Sequence, residues 1–107
     1  RGRLLLVPSD DVLYFRAEQK YITVVTAERE YFIEDSLTRI DEEFGGRFLR
    51  LHRNCLARAD LIESFERDAD ADGEAQWIVT LRGRSERLPV SRRQHAQVRG
   101  LAKRVRE

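Results

Sequence analysis

Tyr21-Ile22-Thr23-Val24-Val25-Thr26 is a run of β-branched and aromatic residues without a glycine or proline, and it predicts a strand. Upstream, Val12-Leu13-Tyr14-Phe15 starts another. Before that, Leu4-Leu5-Leu6-Val7 is a short apolar run closed by Pro8-Ser9-Asp10-Asp11, a turn signal. The polar stretch Arg16-Ala17-Glu18-Gln19-Lys20 reads as a loop or bulge between two of these strands. Downstream, Tyr31-Phe32-Ile33 resumes the extended pattern after a turn at residues 27–29.

A helix comes next. Ser36 suits the N-cap, because its hydroxyl can accept from an orphan N–H of the first turn. Leu37, Ile40 and Phe44 make one apolar face, and Gly45-Gly46 ends the helix in a region glycine enters cheaply. Residues 48–56 then read as extended chain, followed by Leu61-Ile62-Glu63-Ser64-Phe65. Residues 68–74 form an acidic loop, and Trp77-Ile78-Val79-Thr80-Leu81 a further strand. Arg82-Gly83-Arg84-Ser85 is a tight turn, from which Glu86-Arg87-Leu88-Pro89-Val90 returns. The tail from Arg92 to about Val105 is helical, with Ser91 and Gln94 at capping-box spacing and Val98, Leu101, Ala102 and Val105 on one face. Many short strands and two modest helices predict a mainly β domain, and the lack of βαβ alternation argues against a parallel sheet.

The 107 residues fit one domain. With no methionine and an opening of Arg1-Gly2-Arg3, residues 1–107 are expected to be a piece of a longer protein whose other part is N-terminal. No apolar run approaches the ~20 residues that span a bilayer. The one cysteine, Cys55, has no disulfide partner within the chain, which points to a reducing, cytoplasmic home.

The net charge of +1 hides a segregation. Residues 47–59 carry four arginines and no acid, and residues 82–106 carry nine cations against Glu86, leaving −11 for the rest. Two basic segments in an otherwise acidic chain suggest one face for polyanions, although basic runs are more often plain solvated surface.

Most chemistry is argued against. His52 and Cys55 lie three apart in a segment read as extended, so their side chains should point to opposite faces, which disfavours a nucleophile–base pair. One cysteine and the distant His52 and His95 do not make a zinc site. Asp68-Ala69-Asp70-Ala71-Asp72-Gly73 matches the front of a calcium loop, but the position of the bidentate glutamate holds Val79. Gly45-Gly46 follows a helix, the wrong order for a phosphate loop. No enzyme activity, cofactor or metal is expected.

Three segments remain. They are Lys20-Tyr21, the run from Phe48 through Arg50-Leu51-His52-Arg53-Asn54 to Leu56, and Leu88-Pro89-Val90-Ser91-Arg92-Arg93-Gln94. Arginines at the first turn of a helix oppose its macrodipole, so their presence suggests an external anion held by guanidiniums and helix N–H groups. Arginine also matches guanine, and asparagine adenine, in the major groove.

Together these segments resemble the LytTR DNA-binding domain, the output module of many bacterial response regulators, and most of all its alginate-biosynthesis regulator subgroup. The similarity rests on Val12-Leu13-Tyr14-Phe15 with Lys20-Tyr21-Ile22, on Ser36-Leu37 through Phe44 to Phe48-Leu49-Arg50-Leu51-His52-Arg53, and on Pro89-Val90-Ser91-Arg92-Arg93. It spans about Leu4 to Leu101. The resemblance implies an elongated antiparallel β fold with two short helices, whose loops enter successive major grooves on one side of the duplex. Base contacts would fall to the Lys20 loop, to Arg53 or Asn54, and to Arg92 or Arg93, with Arg50 and His52 as phosphate anchors or loop supports. Arg99 and Arg104 are read as plain surface. The expected partners are double-stranded DNA at paired direct repeats and an N-terminal receiver domain, with dimers only in the full-length protein or on DNA. Arg16 and Ala57-Arg58 depart from the family pattern, and their guanidiniums could add phosphate contacts. The competing reading is a protein-interaction or sensory β module with an arginine-rich face. Single-stranded RNA binding would need exposed aromatics, and Tyr21, Tyr31 and Trp77 are each expected in strand core.

Overall fold

Tyr14 and Phe15 are neighbours in sequence, both buried, and they belong to two different cores. Successive strand residues face opposite sides of a sheet. A sheet carrying such a pair must therefore be covered on both faces. In the computed structural model, which describes residues 7–69 and 75–105, that sheet has five antiparallel strands. They are β1 (Val12–Ala17), β2 (Ile22–Thr26), β3 (Glu30–Ile33), β4 (Phe48–His52) and β5 (Cys55–Arg58), in the order β3-β2-β1-β5-β4. A second sheet of β6 (Ile62–Ala69), β7 (Ala75–Leu81) and β8 (Leu88–Pro89) is ordered β6-β7-β8.

Helix α1 (Leu37–Phe44) covers one face of the large sheet. There Leu37 and Ile40 join Val12, Phe15, Ile22, Val24, Phe48 and Leu56. The other face packs on the second sheet and on helix α2 (His95–Val105), where Tyr14, Val25, Leu51, Cys55 and Ala57 meet Val79, Leu81, Leu88, Val90 and Val98. The layers are thus helix, five-stranded sheet, and small sheet with helix. Covered on both sides, β2 is buried at all five positions, which is why its sequence shows no alternation. The molecule measures 47 × 35 × 24 Å, an elongated shape.

The first helix forms as its sequence predicts. Ser36 Oγ accepts from the Arg39 N–H at 3.2 Å, and Gly45 closes the helix in the left-handed region at φ 50. Elsewhere the boundaries shift. Strand β1 takes in Arg16 and Ala17, so the loop between β1 and β2 is shorter than the sequence suggests, and Tyr21 lies just outside β2. Residues 48–56 are two strands joined by a tight hairpin, not one extended run. Strand β6 runs on to Ala69, taking in Asp68 of the expected acidic loop. Only Leu88–Pro89 of the return segment pairs as strand. The C-terminal helix is preceded by a 3-10 turn, Arg92–Gln94, and Ser91 makes no side-chain cap, so the capping box is not formed. The proposed strand at Leu4-Leu5-Leu6 and the loop tip at residues 70–74 lie outside the described residues. No helix among the described residues is long and apolar enough to cross a membrane.

Candidate nucleic-acid interface

The hairpin between β4 and β5 turns on two residues, Arg53 and Asn54, with His52 paired to Cys55. Two-residue hairpins usually rely on positive φ, yet among the described residues none other than glycine has one. A register shift between Arg50 and His52 marks a bulge, which adds local twist. Arg50 holds the turn together. Its Nε donates to the His52 carbonyl at 3.0 Å and its Nη2 to the Arg53 carbonyl at 2.9 Å. The Asn54 N–H donates to His52 Nδ1 at 3.3 Å. Carbonyls at the tip are thereby satisfied from within, and the Arg53 and Asn54 side chains stay exposed.

Backbone bonds tie this tip to the other two segments. The Ala17 N–H donates to the Asn54 carbonyl at 2.8 Å, fixing the tip beside the end of β1. There the Glu18 N–H donates to the Tyr21 carbonyl at 2.8 Å and closes the turn that presents Lys20. On the other side, the Ser91 N–H donates to the Leu51 carbonyl at 2.9 Å, and the Gln94 N–H to the Ser91 carbonyl at 3.0 Å. The 3-10 turn bearing Arg92 and Arg93 is therefore pinned to β4.

Two open clefts result. The larger, about 940 Å³, lies between β4 and the start of α2, and its walls include Arg50, His52, Arg53, Ser91, Arg93, Gln94 and Gln97. The smaller, about 270 Å³, lies between the Lys20 turn and the start of α1, and its walls include Gln19, Lys20, Tyr21, Thr38, Arg50 and Arg53. Arg50 and Arg53 line both, so Lys20, Arg53 and Arg93 share one continuous rim. Arg92 is exposed beside it but is not a wall of the larger cleft. Acids are present as well: Asp41 in the larger cleft, and Glu18 and Asp35 in the smaller. Glu18 is matched by Arg16 at 2.8 Å, and that bond lowers the Glu18 pKa.

The cations differ in their partners, and two groups among them bear on the rim, although exposed Arg99 of α2 also has no ion pair among the described residues. Arg16, Arg39, Arg47, Arg58, Arg84 and Arg87 each pair with a carboxylate. Lys20, Arg53, Arg92 and Arg93 have no ion pair or side-chain hydrogen bond among the described residues, and all four are exposed. The two cations that depart from the family pattern are engaged internally, Arg16 with Glu18 and Arg58 with Asp60 and the Val12 carbonyl. They are not free for phosphates as the sequence suggested.

The structure differs from the sequence expectation at two places. His52 and Cys55 are direct partners across the hairpin, so the premise that they point apart fails. Cys55 is inert for another reason: burial pushes its thiol up to about 12, leaving no thiolate at neutral pH. Tyr21 is not strand core but 42% exposed. Among the described residues no three His, Cys, Asp or Glu side chains gather as metal ligands. Asp68, from the calcium-like stretch, pairs with Arg87 at 3.2 Å, and Val79 is fully buried.

Sequence reasoning missed Gln94 and Gln97 as walls of the cleft. Gln97 follows Arg93 by four, the spacing that puts both on one helical face, and that signal was present in the sequence.

The sequence matches the LytTr DNA-binding domain family over residues 2–103. It is 36% identical over 101 residues to the positive alginate biosynthesis regulatory protein of Pseudomonas aeruginosa, covering 94% of this chain and 40% of that protein's length. Its fold matches a solved LytTr DNA-binding domain from Bacillus cereus, with a TM-score of 0.72 at 24% identity over 90% of this chain and 84% of that one. The chain belongs to the LytTr DNA-binding domain family.

Proposed function

We propose that this domain binds double-stranded DNA by sequence, through the Lys20 turn, the Arg53–Asn54 hairpin tip and the Arg92–Arg93 turn, in the control of transcription. The single observation carrying this reading is the rim itself. Three segments more than thirty residues apart in sequence are bonded into one edge, and their cations lack internal acid partners. A cation without a partner attracts phosphate without first breaking an ion pair.

Roles divide by geometry. Arg53 and Arg93 have free guanidinium forks that match guanine O6 and N7, and Asn54 has the amide that matches adenine. Arg50 is spent on carbonyls of the tip, so it acts as a loop support and adds charge. His52 accepts from the Asn54 N–H and has the same supporting part. Lys20 and Arg92 reach the duplex at the ends of the rim. Loops, not a recognition helix, enter the major groove, and an elongated body suits contacts in successive grooves on one side.

In the intact protein we place this domain behind an N-terminal receiver, as the output part of a bacterial two-component response regulator acting in the cytoplasm. Support comes from the relative's length, of which this chain spans 40%. Paired direct repeats and dimers, on DNA or in the full-length protein, belong to the same reading. The family is a DNA-binding regulatory domain, and no catalytic step is assigned to it.

The test is selection of duplexes from a random pool by this domain, followed by a salt series on the selected duplex. Enrichment of a defined sequence, with affinity falling linearly in log salt, is the expected result. No enrichment, or affinity independent of salt, contradicts the reading.

A further inference from the structure

Tyr21 and Phe32 are the two large hydrophobic side chains left exposed among the described residues, at 42% and 61%. They are not scattered. Their rings meet edge to face with centroids 4.9 Å apart. Phe32 stands on β3, the edge strand of the large sheet, and Tyr21 follows Lys20 directly. Tyr21 is also a wall of the smaller cleft, together with Lys20, Arg50 and Arg53. An apolar pair thus adjoins the end of a cationic rim.

Exposed rings carry a hydration cost that a folded domain ordinarily removes by burial. Tyr21 is held out in water by the backbone bond from the Glu18 N–H to its carbonyl, which sets the turn. Phe32 then buttresses the ring edge to face. The occupant favoured by this placement is the ligand of the rim itself, because the same cleft holds three cations and only two acids, one of them neutralised by Arg16. Major-groove DNA offers one apolar group that an aromatic side chain can cover, the 5-methyl of thymine.

We infer that Tyr21, braced by Phe32, is a specificity residue that packs on a thymine 5-methyl group in the groove entered by the Lys20 turn. The inference rests on the DNA-binding reading above and extends it to a residue type that carries no charge. A contact of this kind does not release counterions, so it leaves the salt dependence unchanged.

The experiment uses the 107-residue chain and the duplex it selects from a random pool, with each thymine replaced in turn by deoxyuridine. For the wild type, loss of the methyl at one thymine should weaken binding roughly fourfold, the equivalent of one buried carbon, and other replacements should not. Tyr21→Ala should bind the thymine duplex about five- to tenfold more weakly with the same salt slope, and should be indifferent to the deoxyuridine at that position. Tyr21→Phe should keep the discrimination, and Phe32→Ala should lose part of it. If Tyr21→Ala discriminates as the wild type does, or if no thymine methyl matters, the inference is wrong. A change in self-association of Tyr21→Ala or Phe32→Ala with DNA binding intact would make the pair a protein contact, and would also overturn it. If the wild type selects no sequence, the DNA-binding reading has failed first.

Discussion

Two sets of arginines in this domain have opposite surroundings. Around the turn from β7 to β8, Arg84 bonds Glu86 through both Nε and Nη2, and the Tyr14 hydroxyl donates to the same carboxylate at 3.2 Å. Arg84 also reaches the Ala27 carbonyl on the large sheet. That cluster is internally complete and clasps one sheet to the other. At the rim, Arg53, Arg92 and Arg93 have no such partners among the described residues, and the turns that carry them are satisfied by backbone bonds instead. Sequence composition counts these arginines alike. Their environments differ, and the proposed function gives the first to stability and the second to a DNA ligand.

Breaking the rim should have the largest effect. Arg93→Ala is expected to cost about 1–3 kcal/mol in binding to the selected duplex, to relax the preference at one base position, and to leave the melting temperature unchanged. Arg53→Ala should do the same at a different position, and titrations against single-base variants of the duplex would show it. Arg84→Ala should give the reverse pattern. Stability should fall by about 1 kcal/mol in urea unfolding, since a partly buried ion pair and the bond to the Ala27 carbonyl are lost, with DNA affinity within twofold of wild type.

Acid sharpens the same contrast. The Arg84 bond holds the Glu86 carboxyl below its usual value of 4.5. A carboxyl depressed in the folded state stabilises the fold above its unfolded pKa, and that contribution disappears as pH falls through the folded value. Wild type should therefore lose stability below about pH 4.5 more steeply than Glu86→Gln, which urea melts across pH 3–6 would measure. The smallest effect belongs to Arg99→Ala. This exposed residue of α2 lines neither cleft, and its loss should change affinity less than twofold. A large loss would mean that the body of the helix docks on DNA.

Much of the fold was legible because its local signals agree with its packing. Ser36 and Gly45 bound a helix whose apolar face is Leu37 and Ile40, and β2 reads as a strand because every side chain in it is buried. The hairpin at residues 53–54 was not legible. It contains no glycine and needs no positive φ, so the lone Asn54 is its one weak turn signal, and a bulge near Leu51 breaks the alternation that would betray a reversal. That omission hid the pairing of His52 with Cys55. The candidate rim was readable as three basic segments, but their union depends on the Ala17–Asn54 and Ser91–Leu51 backbone bonds, which no spacing encodes. Tyr21 was misread for a related reason. Its β-forming character matches the strand beside it, while its place in the turn leaves it in water.

The most direct measurement follows the arginine side-chain Nε–H resonances by NMR while the selected duplex is added. The signals of Arg53 and of Arg92 or Arg93 should shift strongly, and those of Arg84, Arg47 and Arg58 should stay in place. Shifts concentrated on the paired arginines, with the rim unmoved, would contradict the account.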